Sequence, residues 1–293
     1  MANMAQAHSQ YYIPHGSHWP ILGSIGIFTM MVGGAIWLNG ADHGRTVLIV
    51  GAVILIVMLF GWFGTVIRES ESGTYNDQVD RSFRWGMAWF IFSEVMFFAA
   101  FFGALFYSRQ HNLPVLGGEG TSPLTNFILW HGYDAMWPQT ANGPADIGGE
   151  FEPMAAWGIP ALNTLILLSS GVTVTWAHWG LKSNKRSQLI LGLLATIALG
   201  VTFISLQAHE YIAAYDELNL TLHSGIYGST FFMLTGFHGM HVTLGVIMLT
   251  VILLRSIRGH FTPDHHFAFE GVSWYWHFVD VVWLGLFIFV YWL

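Results

Sequence analysis

Seven apolar stretches, separated by short polar or glycine-rich segments, organise the sequence: 20–38, 45–67, 84–107, 157–180, 189–212, 227–254 and 273–293. A helix rises about 1.5 Å per residue, so roughly 20 residues cross a hydrocarbon core of about 30 Å. Charges or helix breakers bracket the stretches. Asn39, Gly40 and Asp42 follow the first, and Arg68 and Glu69 follow the second. Gly158 and Pro160 open the fourth, and Lys182, Lys185 and Arg186 close it. The pattern predicts an all-α membrane protein of seven transmembrane helices. The longest connection, 108–156, is rich in Gly, Pro and Asn and shows neither a helical nor a strand period. It predicts an extramembrane segment able to form a small cap.

Composition sharpens this picture. Of the 293 residues 54% are hydrophobic and 9% charged, whereas a soluble domain carries about a quarter charged residues. The net charge is −7, and the ten Lys and Arg residues sit at the ends of apolar runs. No basic patch remains for nucleic acid. The absence of cysteine excludes disulfides, thiolate-held iron–sulfur clusters and thiolate nucleophiles. The N-terminal residues, MANMAQAHSQYYIPHGSHWP, lack the basic and apolar regions of a signal peptide, so the first helix is expected to direct its own insertion.

The cations also predict a direction. Arg68, Arg81, Arg84, Lys182, Lys185, Arg186, Arg255 and Arg258 lie in the connections after helices two, four and six, against Arg45 and Arg109 on the other side. Lys and Arg in short loops stay on the cytoplasmic side. The N-terminus is therefore expected inside and Leu293 outside. Glu119, Asp146, Glu150, Glu152, Asp216 and Glu217 then face outward. Trp and Tyr near the run ends, such as Trp19, Trp37, Trp130, Trp157 and Trp292, suit headgroup depth or ordinary burial equally. Small residues at Gly192, Thr196 and Gly200, and at Gly236 and Gly245, predict close helix packing. No internal repeat of the transporter kind occurs, which weighs against a carrier.

Ionisable groups at membrane depth are costly and mark candidate chemistry. Glu94 lies mid-run in RWGMAWFIFSEVMFFAAFF. It is either a proton-carrying group or a protonated carboxyl hydrogen-bonded to another helix. His209 and Glu210 begin an H-E-x-x-H motif, but Ala213 stands where the second histidine belongs, and an interfacial polar pair is expected instead. His238 and His241, three apart, share a helix face. They suit interhelical hydrogen bonds better than a metal, which needs further converging ligands. His277 and Asp280 are also three apart and are expected to pair, with a proton relay as the second reading. His260, His265 and His266 in HFTPDHHF resemble a metal site by composition only, and solvated surface histidines are expected.

RWGMAWFIFSEVMFF, WGIPALNTLILLSSGVTVTWAH, YGSTFFMLTGFHGMHVTLG, HHFAFEGVSWYWHFVDVVWL and the closing YWL together resemble subunit III of the haem–copper cytochrome c oxidases, of the aa3 type. The likeness spans about 45–107 and 157–293 in the same order. It implies two bundles, helices 1–2 and 3–7, around a V-shaped lipid cleft. The chain then divides into a tail (1–19), a two-helix bundle (20–67), an inner loop (68–83) and a five-helix bundle (84–293) that carries the outer loop 108–156.

The resemblance further implies a subunit with no catalytic or metal-binding residue of its own, haem A and copper being held by partner subunits I and II. Such a subunit packs on subunit I, binds phospholipids, supports proton uptake and protects the active centre during turnover. Glu94 matches the family's intramembrane carboxylate, and Arg68, Glu69 and Arg255 match positions associated with lipid headgroups. His238, His241, His277 and Asp280 match positions that are not redox ligands. Two departures stand out: Gly64 and Thr65 replace a charged pair before VIRES, and the 108–156 connection is longer than in mitochondrial relatives. The longer connection favours a bacterial plasma membrane over the mitochondrial inner membrane. A quinol oxidase subunit, or an independent transporter using Glu94, His277 and Asp280 as a proton path, are the alternatives.

Overall fold

A computed structural model of the chain describes residue 12 and residues 16–120, 123–129, 131–138 and 150–293. Most of the tail, together with Trp130 and Asp146, lies outside the described residues. Seven helices are long and apolar enough to cross a membrane: α1 (Trp19–Leu38), α2 (His43–Glu71), α3 (Asp77–Tyr107), α4 (Ile159–Lys182), α5 (Arg186–Asp216), α6 (Gly225–Arg258) and α7 (Phe267–Leu286). No strand occurs among the described residues.

Polar residues at the run ends extend the helices beyond the apolar stretches. α2 reaches Glu71 and α3 starts at Asp77, so only 72–76 connects them where an inner loop of 68–83 was expected. Asn76 Oδ1 accepts from the Val79 N–H at 3.0 Å, and Asp77 and Asp80 occupy the first turn. A side-chain cap and early acidic residues both favour a helix start. The 108–156 connection also holds more helix, among its described residues, than its composition suggests. α3 runs on through a π-helical stretch (Ser108–Asn112) into Leu113–Leu116, and Pro123–Ile128 forms another short helix. The Arg109 guanidinium lies 5.6 Å from the Trp137 ring centroid, an aromatic contact that holds this polar extension. Further on, the Glu152 N–H donates to the Leu218 carbonyl at 3.0 Å and Asn219 donates to the Glu150 carbonyl at 2.8 Å. The end of the connection is thereby tied to the α5–α6 turn.

The chain divides into two compact units, Met1–Trp85 and Gly86–Leu293. In the first, α1 packs on α2. A Cβ at Gly51 would collide with the Met30 backbone, so that glycine sets how closely the two helices approach. In the second, α4 packs on α5, α5 on α6, α6 on α7, and α7 back on α4. Lipid tails are as apolar as leucine, so such packing rests on close contact and hydrogen bonds rather than on the hydrophobic effect. Fully buried Trp276 of α7 illustrates this. A Cβ at Gly200 of α5 or at Gly245 of α6 would lie 2.8 Å from its ring, and its indole N–H donates to Ser170 Oγ of α4 at 2.9 Å. The small residues at 200 and 245 make room for one tryptophan that touches three helices. The left-handed Gly259 (φ 80) ends α6, a conformation that a Cβ disfavours.

Candidate functional site

The polar groups of the second unit meet across helices that carry apolar residues on all sides. Glu94 of α3 turns toward α6, where its Oε2 lies 3.0 Å from His241 Nε2. The other ring nitrogen, Nδ1, lies 2.6 Å from the Phe237 carbonyl. A carbonyl only accepts, so Nδ1 carries a hydrogen. The Glu94–His241 contact then requires one proton, held either by the carboxyl or by Nε2. Both forms of the pair are neutral overall, which removes most of the cost of an isolated charge in hydrocarbon. The side chains are 22% and 7% exposed. Phe98 and Tyr275 flank the imidazole, at 5.1 and 6.3 Å between centroids, and the Tyr275 hydroxyl donates to the His241 carbonyl at 3.2 Å. Glu94 is thus hydrogen-bonded to another helix, α6.

His238, one turn before His241, donates from Nε2 to the Val279 carbonyl of α7 at 3.0 Å. The two histidines therefore serve different helices, α3 and α7, rather than a common ligand. His277 Nδ1 and Asp280 Oδ2 are 3.6 Å apart, with the histidine side chain 45% exposed and the aspartate 8%. Thr175 Oγ1 of α4 lies 3.3 Å from His277 Nε2. Both residues line a largely apolar groove of about 640 Å³ beside Gly171, Thr175 and Trp179. Of the two, only Asp280 is buried within this chain.

The structure separates His209 from Glu210. His209 is exposed, while Glu210 turns inward, accepting from the Tyr291 hydroxyl at 2.6 Å and from Gln207 at 3.4 Å. Adjacent helical positions point about 100° apart, so the expected interfacial pair does not form. Spacing gives no sign of the Glu210–Tyr291 contact, which spans 81 residues.

The expected headgroup residues fall in both units. In the first, Arg68 is exposed and donates to Thr65 at 3.3 Å, while Glu69 accepts from the Tyr75 hydroxyl at 2.7 Å. Burial, followed by the Glu69 hydrogen bond, pushes the Tyr75 phenol above its ordinary range and keeps it a donor. In the second, Arg255 is buried, its guanidinium 4.6 Å from the Phe261 ring centroid. At the same end of α4 and α7, His178, His266 and Glu270 converge. His266 is thus buried rather than solvated, unlike exposed His265. His178 was not singled out in the sequence; the i, i+4 spacing of His266 and Glu270 was the available signal.

Among known proteins, the family described as cytochrome c oxidase subunit III matches residues 8–126 and 124–293. Cytochrome c oxidase subunit 3 of Cyprinus carpio is 43% identical over 288 residues, 98% of each chain. That of Marchantia polymorpha is 41% identical over 291 residues, 99% of this chain and 98% of its own. That of Pongo pygmaeus is 42% identical over 288 residues, 98% of each.

Proposed function

The chain belongs to the cytochrome c oxidase subunit III family, and on that premise we propose that it is the haem-free, copper-free subunit that packs on subunit I, holds phospholipid and supports proton uptake. It is one subunit of an oxidoreductase complex. The observation that carries the reading is a match at 43% identity extending over 98% of both chains.

The geometry supports the finer assignments as follows. Glu94 and His241 keep one proton at membrane depth with no net charge, which suits a group that stabilises the bundle and carries a proton. Exposed Arg68, in the last turn of α2, suits a phospholipid phosphate, since cations at a cytoplasmic helix end attract anionic headgroups. Buried Arg255 offers a phosphate less of its guanidinium, and Glu69 is engaged by Tyr75. Seven helices long and apolar enough to cross a bilayer make it a membrane protein. The bacterial plasma membrane expected from the long outer connection has no support from the relatives named above, which are all eukaryotic. We keep to an inner membrane of aerobic respiration.

Affinity purification through a tag on this chain tests the reading. Haem A absorption and a CuA-type copper signal are expected to co-purify with it, in a complex that oxidises cytochrome c. A complex with haem but no such copper, oxidising quinol, would move the chain to a quinol oxidase. Purification without haem, together with transport by the chain alone, would overturn the oxidase assignment.

A further inference from the structure

We propose that His178, His266 and Glu270 form a binding site for a divalent transition-metal cation of the zinc class, at the cation-rich end of α4 and α7. The role proposed above assigns nothing to these residues. His178 lies in the last turns of α4, one turn before Lys182; His266 is the residue immediately before α7, and Glu270 follows one turn later. The packing of α7 on α4 brings the three together.

The distances are those of a ligand set. His266 Nε2 lies 3.3 Å from Glu270 Oε1, His178 Nε2 lies 3.6 Å from the same oxygen, and the two Nε2 atoms are 3.4 Å apart. Zinc bonds of about 2.0–2.2 Å to nitrogen and oxygen place neighbouring tetrahedral ligands about 3.3–3.5 Å apart. Three nearly equal edges of that length outline one face of such a tetrahedron. A cation close to this face needs little movement of the side chains.

The tautomer fits as well. His266 Nδ1 lies 3.1 Å from the Thr262 carbonyl, which only accepts, so Nδ1 carries the hydrogen. In the neutral ring Nε2 is then a bare lone pair aimed at Glu270. A carbonyl that fixes the far nitrogen is the usual support of a metal-bound histidine. Without a cation, a lone pair and a carboxylate oxygen face each other at 3.3 Å, a contact that needs a proton or a metal ion between them. His178, His266 and Glu270 are 21%, 6% and 12% exposed, shielded enough to hold an ion and open enough on the His178 side for a water as fourth ligand. Two imidazoles and one carboxylate select zinc or a related ion over magnesium or calcium, which prefer all-oxygen sets. The nearby Lys182 ammonium opposes binding, so the site suits reversible occupancy rather than a permanent structural ion.

The test is a zinc titration against a competing chromogenic chelator. It is made on the full chain in whatever complex it purifies with, so it stands apart from the oxidase assignment. Wild type is compared with Glu270→Gln and His178→Gln. The second variant alters the more exposed ligand, in case the first disturbs assembly, and protein yield and α-helical circular dichroism establish folding of both. Wild type is expected to bind one more zinc per chain than either variant, or to bind it at least about tenfold more tightly. X-ray absorption should report two imidazoles on the ion lost in the variants. Equal zinc stoichiometry and affinity in all three proteins overturns the site and leaves a hydrogen-bonded cluster that shares a proton.

Discussion

Glu94 Oε2 and His241 Nε2 meet at 3.0 Å across 147 residues of sequence, joining α3 to α6. With Nδ1 committed to the Phe237 carbonyl at 2.6 Å, the pair holds a single proton and no net charge. Its contribution depends on both partners being present, because a lone buried donor or acceptor loses its water without replacement.

Glu94→Gln supplies an amide N–H to the same Nε2 and preserves a neutral pair. This variant is expected to keep the haem absorption of the purified complex and to lose less than about 1 kcal/mol of stability. Glu94→Leu leaves Nε2 without its partner and is expected to cost about 1–3 kcal/mol. Thermal melting of both variants in one detergent checks this. A leucine variant that melts with wild type would show that the contact contributes nothing. Loss of haem in the glutamine variant would contradict a subunit free of redox ligands.

How much of this was legible in the sequence depends on the kind of contact. The seven spans were, because length and apolarity suffice to cross a bilayer. The helix ends were less so: Arg68 and Asp77 read as loop, yet polar residues at a helix end cost little and can cap it. Partners between helices were not legible. Spacing puts His238 and His241 on one face, but it does not say that the first meets Val279 and the second Glu94. A membrane helix is apolar on all sides, so periodicity does not name the face that packs. For the same reason His178, 88 residues from His266, gave no sign of its neighbours.

Trp276 depends on the absence of side chains at two positions. Gly245→Val forces atoms toward a ring only 2.8 Å from the first of them, and overpacking of this kind costs about 1–3 kcal/mol. Trp276→Leu gives up the hydrogen bond to Ser170 but frees volume. The double variant is expected to lose less than the sum of the single losses, since residues in contact do not add. Melting of the four proteins in one detergent measures the coupling. Strict additivity would mean that the valine is accommodated elsewhere.

Tyr291, in the π-helical stretch Phe287–Trp292 that follows α7, ties that stretch to α5 through Glu210 at 2.6 Å. Tyr291→Phe removes the hydroxyl and leaves the buried carboxyl with the weaker Gln207 contact at 3.4 Å. A loss of about 1–3 kcal/mol is expected. The Gln207 amide donates to both groups, at 3.4 and 3.3 Å, so adding Glu210→Leu and Gln207→Leu to Tyr291→Phe should recover part of it, because replacing all three partners by apolar groups leaves no stranded donor or acceptor. A triple variant less stable than the single one would place the main role of Glu210 with another group.

The orientation can be checked without background labelling, because the chain contains no cysteine. α5, at 31 residues, is about 46 Å long by the helical rise, well beyond a hydrocarbon core of about 30 Å. Its two ends therefore open on opposite faces. Ser183 and Glu217 are exposed beside those ends, the first among Lys182, Lys185 and Arg186 and the second next to Asp216. The excess of cations beside Ser183 places it inside by the loop-charge rule. In sealed right-side-out vesicles an impermeant maleimide should modify Glu217→Cys at once and Ser183→Cys only after permeabilisation. The reverse order would invert the orientation of every helix and put the His178, His266 and Glu270 cluster on the outer face.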